Sequence, residues 1–211
     1  MFLGENHDSA ATQAGHQALL RELHRLRPDL VISMEMFERD VQEVLDRYLR
    51  GAISEEVFLA RSRPWPNYQQ AYRPVIEFAK ANRLEVIAAN APRELAAKAA
   101  RSGAASVVGC PLVARSTTAP GDAYWRRFRK AMAGHQHGHG GDPLVTKRFY
   151  EAQCLKDDTM AESIADRLTE LHRQGRRPLV VHFCGRFHSD HGLGTVSRLR
   201  SRMPGLKIEV R

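Results

Sequence analysis

Two short polar clusters, Gly4-Glu5-Asn6-His7-Asp8 and Gly185-Arg186-Phe187-His188, lie near opposite ends of the chain, and each follows directly on strand-like residues. Phe2-Leu3 precedes the first and Leu179-Val180-Val181-His182-Phe183 the second, so both fall where a buried strand would pass into a loop. Glu35 follows the apolar run Leu30-Val31-Ile32-Ser33-Met34, and Asn90 follows Leu84-Glu85-Val86-Ile87-Ala88-Ala89. Carboxylates and imidazoles in such places suit two chemistries. Glu5, His7, Glu35 and His188 are the residue types that hold a catalytic zinc, manganese or cobalt ion, which then activates water. Paired acid groups can instead divide proton transfer between them without metal. Simpler roles stand beside these: His7 capping the first helix, Glu35 paired with Arg93, and His188 satisfied within its own loop.

The elements that must position these groups alternate along the chain. Leu19, Leu20, Leu23 and Leu26 recur at helical spacing, with Asp8 or Ser9 available as N-cap and Pro28 beyond the end. Leu30 to Met34 reads as a buried strand, and Val41, Val44, Leu45, Tyr48 and Leu49 as the stripe of a helix closed by Gly51. A short helix over 55–60 is followed by the turn Arg63-Pro64-Trp65-Pro66, whose prolines exclude regular helix. Tyr72, Val75, Ile76 and Ala79 mark another helix before the strand over 84–89, and Pro92 opens the next. Residues 110–148 form an irregular helical insertion with one helix over 122–133 and a polar stretch holding His135, His137 and His139. A long helix over 146–174, the strand before Gly185, a helix carrying Val196 and Leu199, and a strand over 206–210 complete the pattern. Strands separated by helices imply an α/β fold with a mainly parallel β-sheet flanked by helices. Ligands of such sheets bind beyond the carboxyl ends of the strands, where Glu5, His7, Glu35, Asn90 and Gly185 to His188 would converge.

The chain has 211 residues, 43% hydrophobic and 27% charged, which suits one domain over 1–211. No apolar stretch is long enough to span a membrane. The first strand is so short that the natural chain is expected to begin further upstream. As it stands the sequence carries no signal, which points to the cytoplasm, whereas an export or lipoprotein signal on an upstream segment would point elsewhere. Three scattered cysteines, Cys110, Cys154 and Cys184, make no disulfide framework and read as free thiols. A net charge of +8 invites a nucleic-acid partner, but the basic residues lack an aromatic ladder or reader motif, and a solvated basic surface is the better reading. Arg126-Arg127-Phe128-Arg129-Lys130 and the tail from Arg198 to Arg202 are the places where an anion would be drawn.

The succession of motifs resembles the ChaN-like haem-binding proteins, a family grouped with Tiki metalloproteases and erythromycin esterases. The opening Gly-Glu-x-His-Asp, Glu35-Met36-Phe37, the segment from Trp65 to Tyr72, Ala88-Ala89-Asn90-Ala91-Pro92-Arg93, the run from Ala152 to Ala161 and the late Gly-x-x-His occur in the family's order over nearly the whole chain. The resemblance implies a pocket built on Glu5, His7, Glu35 and His188, supported by Asn90, Arg93, Gln153 and Asp157. It also implies haem binding linked to iron or haem uptake. In the family arrangement two haems pack face to face within a homodimer, a tyrosine ligates iron and basic side chains hold the propionates. Tyr150 and Tyr124 are then the candidate ligands, with Arg126 and Arg127 as candidate cofactor-binding cations; tyrosinate suits ferric haem. The competing expectation is a metal-dependent hydrolase, an esterase or peptidase using the strand-end cluster.

Overall fold

The computed structural model describes residues 1–133 and 142–211, so His135, His137 and His139 lie outside the described residues. Among these residues a four-stranded sheet is built from β1 (Phe2–Glu5), β2 (Leu30–Glu38), β3 (Glu85–Asn90) and β4 (Leu179–Gly185). The spatial order is β1-β4-β2-β3 and every pairing is parallel. Parallel neighbours need long crossovers, and helices supply them: α1 (Ala10–Leu26), α2 (Gln42–Leu49), α3 (Glu55–Ser62), α4 (Tyr68–Ala71), α5 (Arg73–Ala81), α6 (Arg93–Ser102), α7 (Ala123–Ala133), α8 (Pro143–Arg173) and α9 (Gly194–Arg202).

The period-two alternation of the strands divides the core into two layers. Leu3, Leu30, Ile32, Met34, Val86, Ala88, Val181 and Phe183 point to one face and pack with Leu20, Leu45, Tyr48, Tyr72, Val75 and Ile76 of the helices between β1 and β3. Phe2 and Cys184 point to the other face, against Ile164 and Leu168 of α8 and Val196 and Leu199 of α9, with Val31, Ile87 and Ala89 against Met160 and Leu171. Both faces are covered, which is why the strands read as nearly unbroken apolar runs.

Local signals fix the helix ends. Ser9, rather than Asp8 or His7, caps α1 by accepting from the Thr12 backbone N–H at 3.3 Å. Asp142 caps α8, accepting from the Leu144 N–H at 2.7 Å, with Pro143 in the first turn. Gly51 follows α2 in the left-handed region, φ 72°. The helix expected around Tyr72 is broken into α4 and α5.

Two expectations are corrected. β2 does not stop at Met34 but continues to Glu38, so Glu35 lies inside the strand rather than after it. The strand expected over 206–210 is a single bridge between Val210 and Phe2, although backbone bonds from Phe2 to Glu209 and from Gly4 to Arg211 lay this tail along β1. At the opposite edge the Gln42 side chain donates to the Val86 carbonyl at 2.8 Å and accepts from the Ala88 N–H at 2.7 Å. The irregular stretch ahead of α7 is tied to α8 rather than free. Ala114, Arg115 and Thr118 donate backbone N–H bonds to Thr159, Glu162 and Asp158. The three cysteines are free thiols. No helix among the described residues is long and apolar enough to cross a membrane.

Candidate functional site

At the carboxyl ends of the strands a cavity of about 830 Å³ opens, and Glu5, His7, Glu35, Asn90, Arg93, Gln153 and His188 all line it. Chain order separates these residues; the parallel sheet gathers them. Glu5 ends β1, Asn90 ends β3, and His188 closes the 3₁₀ turn Arg186–His188 after β4. Glu35 reaches the cavity from within β2. Asn90 steadies it there by donating to the Glu35 carbonyl at 3.0 Å while accepting from the Ala91 N–H at 2.9 Å.

Two hydrogen-bonded groups make up the polar floor. In the first, His188 lies between two buried carboxylates, Nδ1 2.8 Å from Asp157 Oδ1 and Nε2 3.2 Å from Glu35 Oε1. Burial opposes charge on this imidazole, but Glu35 and Asp157 outweigh it and lift its pKa to about 9. Glu35 and Asp157 are held below the usual carboxylate range: burial pushes them up, and the His188 charge and hydrogen bond overcome it. Both carboxylates take further hydrogen bonds. Glu35 Oε2 accepts from the Gly185 N–H at 2.7 Å, and Asp157 accepts from Thr195 Oγ1 at 2.8 Å and the Tyr124 hydroxyl at 2.7 Å. Gly194, at φ 54°, allows this packing, because a Cβ there would fall 2.6 Å from the His188 carbonyl and 3.0 Å from Asp157. A carboxylate stands at each ring nitrogen, so both nitrogens of His188 are engaged within this group.

The second group surrounds Glu5. Its Oε1 accepts from the Tyr72 hydroxyl at 2.6 Å and lies 3.1 Å from His7 Nδ1, while Oε2 is 4.0 Å from His16 Nδ1. Burial lowers the His7 pKa, but the bond to Glu5 and the charges of Glu35 and Glu5 leave it raised. The His7 ring stands edge-on to Trp65, with centroids 4.7 Å apart, and its side chain is 37% exposed where that of Glu5 is 1% exposed. His7 is therefore the accessible member of the set. Gly185 faces it so closely that a Cβ there would come within 2.6 Å of Nε2.

Apolar walls complete the cavity: Trp65, Pro66, Ala91, Ala96, Phe128, Ala131 and Phe187. Arg93, Lys156 and Arg186 supply positive charge. Arg93 is committed to Glu38 at 2.7 Å, not to Glu35, and Arg186 to Asp190 at 2.9 Å. Lys156 forms no ion pair among the described residues, and its charge helps lower the Glu35 pKa.

Other expected positions lie off the cavity. Tyr124 and Tyr150 are buried in an aromatic cluster with Phe128 and Phe187. The Tyr124 hydroxyl donates to Asp157, and that of Tyr150 donates to the Pro120 carbonyl at 2.8 Å. Burial, reinforced by Asp157 at Tyr124 and by Cys154 at Tyr150, raises both phenol pKa values. Neither Arg126 nor Arg127 lines the cavity, and Arg127 is paired with Asp190 at 2.7 Å. The four expected metal ligands separate into the two groups above, and no set of three or more His, Cys, Asp or Glu among the described residues is arranged to hold a metal ion. The basic tail is likewise engaged, Arg198 and Arg202 both pairing with Asp158.

Sequence reading passed over Tyr72, His16 and Lys156. Lys156 was within reach of it: Gln153, Lys156 and Asp157 sit three and four residues apart and so share one face of α8. Tyr72 carried no such signal, because it reads as part of an apolar stripe.

The likeness to known proteins accords with this arrangement. No curated protein matches the chain. A solved structure of ChaN of Campylobacter jejuni, described by its cofacial haem binding, superposes with a TM-score of 0.70 at 16% identity, covering 99% of this chain and 78% of that one. At that identity the likeness concerns the fold, and it agrees with the parallel sheet and its flanking helices. The family model for haem-binding uptake proteins of the Tiki superfamily, ChaN, matches residues 1–199, and the chain belongs to that family.

Proposed function

We propose that this protein binds haem in the cavity at the carboxyl ends of its strands and serves haem or iron uptake. The observation that carries the reading is the make-up of the cavity: about 830 Å³, walled by Trp65, Phe128 and Phe187 and edged by Arg93, Lys156 and Arg186. A planar apolar macrocycle with two carboxylates needs such walls and such an edge. The volume is within the range of small-molecule and cofactor sites. When bound, haem supplies an iron with axial positions open to a protein ligand. Trp65, Phe128 and Phe187 would exclude water from the ring, and Lys156 would meet a propionate. Membership of a haem-binding family supports the reading. The cofacial haem of the Campylobacter jejuni protein supports a homodimer closed over the cofactor, with two cavities facing each other.

The test is titration of the purified protein with haemin, followed at the Soret band and by sedimentation. Saturable binding with a shifted band and a doubled mass is the expected result. Protein that leaves the haemin spectrum unchanged at micromolar concentration would remove the reading.

A further inference from the structure

We propose that a second site, separate from the haem cavity and independent of the haem-binding reading, takes a small apolar carboxylic acid that carries a hydroxyl group. A cavity of about 260 Å³ lies at the amino ends of β1 and β4, the opposite end of the sheet from Glu5 and His188, between the strands, α8, α9 and the carboxyl-terminal tail. Its walls are apolar: Phe2 and Val180 of the sheet, Ile164 and Leu168 of α8, Leu199 of α9 and Ile208 of the tail. A space of this size holds a single ring or a short chain rather than a macrocycle. Two cations also line it, Arg177 just before β4 and Lys207 in the tail. Neither forms an ion pair among the described residues; Arg177 donates only to the carbonyls of His172 and Arg176, at 3.0 and 2.9 Å. An anionic group at this cavity would therefore meet positive charge that no carboxylate already holds.

The deeper polar group is His182, which lines the same cavity from the middle of β4 and is 1% exposed. Phe2 stands edge-on to its ring, with centroids 5.1 Å apart, and Nδ1 meets Ser33 Oγ at 2.9 Å. Nε2 is buried and has no hydrogen-bond partner among the described residues. A buried polar atom left in that state is both uncommon and costly, and here it belongs to a residue on a cavity wall. Burial lowers the His182 pKa to about 3, so the ring is neutral, with one nitrogen donating and the other accepting. The Ser33 hydroxyl suits either tautomer. A hydroxyl on the ligand suits either as well, because it can donate to Nε2 or accept from it. The ligand class follows from these three features together: an apolar body against the walls, a carboxylate toward Arg177 and Lys207, and a hydroxyl toward His182.

The full chain is titrated with para-hydroxyphenylpropionate, with phenylpropionate, which lacks the hydroxyl, and with para-hydroxyphenylpropionamide, which lacks the charge. Affinity is read by ligand-observed nuclear magnetic resonance, and the His182 ring nitrogens are followed in the same samples. The expected result is saturable binding of the hydroxy acid, roughly fivefold tighter than phenylpropionate and tighter than the amide, with a displaced His182 nitrogen resonance. His182→Phe should remove the advantage of the hydroxyl and leave phenylpropionate affinity unchanged. Replacing both cations, Arg177→Gln with Lys207→Gln, should weaken both acids and leave the amide unchanged. Equal affinity of the two acids for the unaltered protein would overturn the proposal, since a buried water would then already complete Nε2. An amide bound as tightly as the acid, or no binding of either acid at millimolar concentration, would overturn it too. Haemin should not displace the hydroxy acid; displacement would put the acid in the other cavity and remove the second site.

Discussion

His188 Nδ1 lies 2.8 Å from Asp157 Oδ1, joining the turn after β4 to the middle of α8. Both side chains are buried, and Glu35 completes the triad from β2. The contact therefore ties sheet to helix through charge rather than through apolar packing alone. Removing one partner of a buried ion pair strands the others, a loss of about 3–5 kcal/mol. His188→Ala and Asp157→Ala should each lower unfolding free energy by that amount in urea denaturation. A change of a few tenths would mean that the triad is not holding the fold.

The same triad predicts a pH dependence. The pKa of His188 is raised to about 9 by Glu35 and Asp157 against the pull of burial, from an unfolded value near 6.5. Stability from this group is full below the unfolded value and is lost as pH climbs through the folded one, so unfolding free energy should fall between about pH 7 and pH 10, by up to about 3 kcal/mol. His182 acts on the acid side. Burial lowers its pKa to about 3, so its contribution is present above about pH 6.5 and declines as the solution is acidified and the unfolded chain takes up the proton. Denaturation midpoints across this range should trace a maximum near neutrality, and His188→Leu should flatten the alkaline limb.

Lys156 is the cavity cation without an ion pair among the described residues, and a propionate would meet it at little cost in competing contacts. Lys156→Ala should weaken haemin binding by up to about fivefold, the range of a solvent-accessible ion pair. Haem dimethyl ester, which lacks the carboxylates, should bind both proteins alike. Equal losses for acid and ester would indicate a change of shape rather than of charge.

Gly185→Ala places a methyl group 2.6 Å from His7 Nε2 in the present geometry. The imidazole, which lines the cavity, must shift to admit it, so haemin affinity should fall while the far-ultraviolet circular dichroism stays unchanged. Undiminished affinity would mean that the ring has room to move without penalty.

Tyr124→Phe removes the hydrogen bond donated to Asp157 and the one accepted from Gln153 at 3.2 Å, while the Tyr124 side chain itself does not line the cavity. A stability loss of about 1–3 kcal/mol is expected, because a buried carboxylate oxygen loses its donor. The Soret spectrum of the haemin complex should match that of the unaltered protein, and a displaced band would point to Tyr124 as the iron ligand.

Much of the architecture was readable from pattern. The apolar runs ending at Glu5, Asn90 and Gly185 are strands, and placing their ends on one edge assembled most of the cavity floor. What stayed hidden depends on tertiary partners. Glu35 looked like a strand terminus because an ionised side chain rarely continues a buried strand; Gly185 and His188 satisfy it, and β2 runs on to Glu38. Asp157 looked like a supporting residue of α8, and only its spatial partners show it as the hub of His188, Thr195 and Tyr124. Tyr124 and Tyr150 matched the ligand chemistry by residue type, but sequence alone does not say which way a hydroxyl faces.

The amide of Gln42, bonded to Val86 and Ala88, and the tail from Glu209 to Arg211, laid along β1, leave neither outer strand fully open. Bare strand edges are where chains stick to one another by continuing a sheet, and here both borders are partly blocked. Growth into fibres through strand addition is thereby discouraged at both borders. Contacts with another chain are left to side-chain surfaces, which recognise a particular partner by shape and charge rather than by backbone pairing.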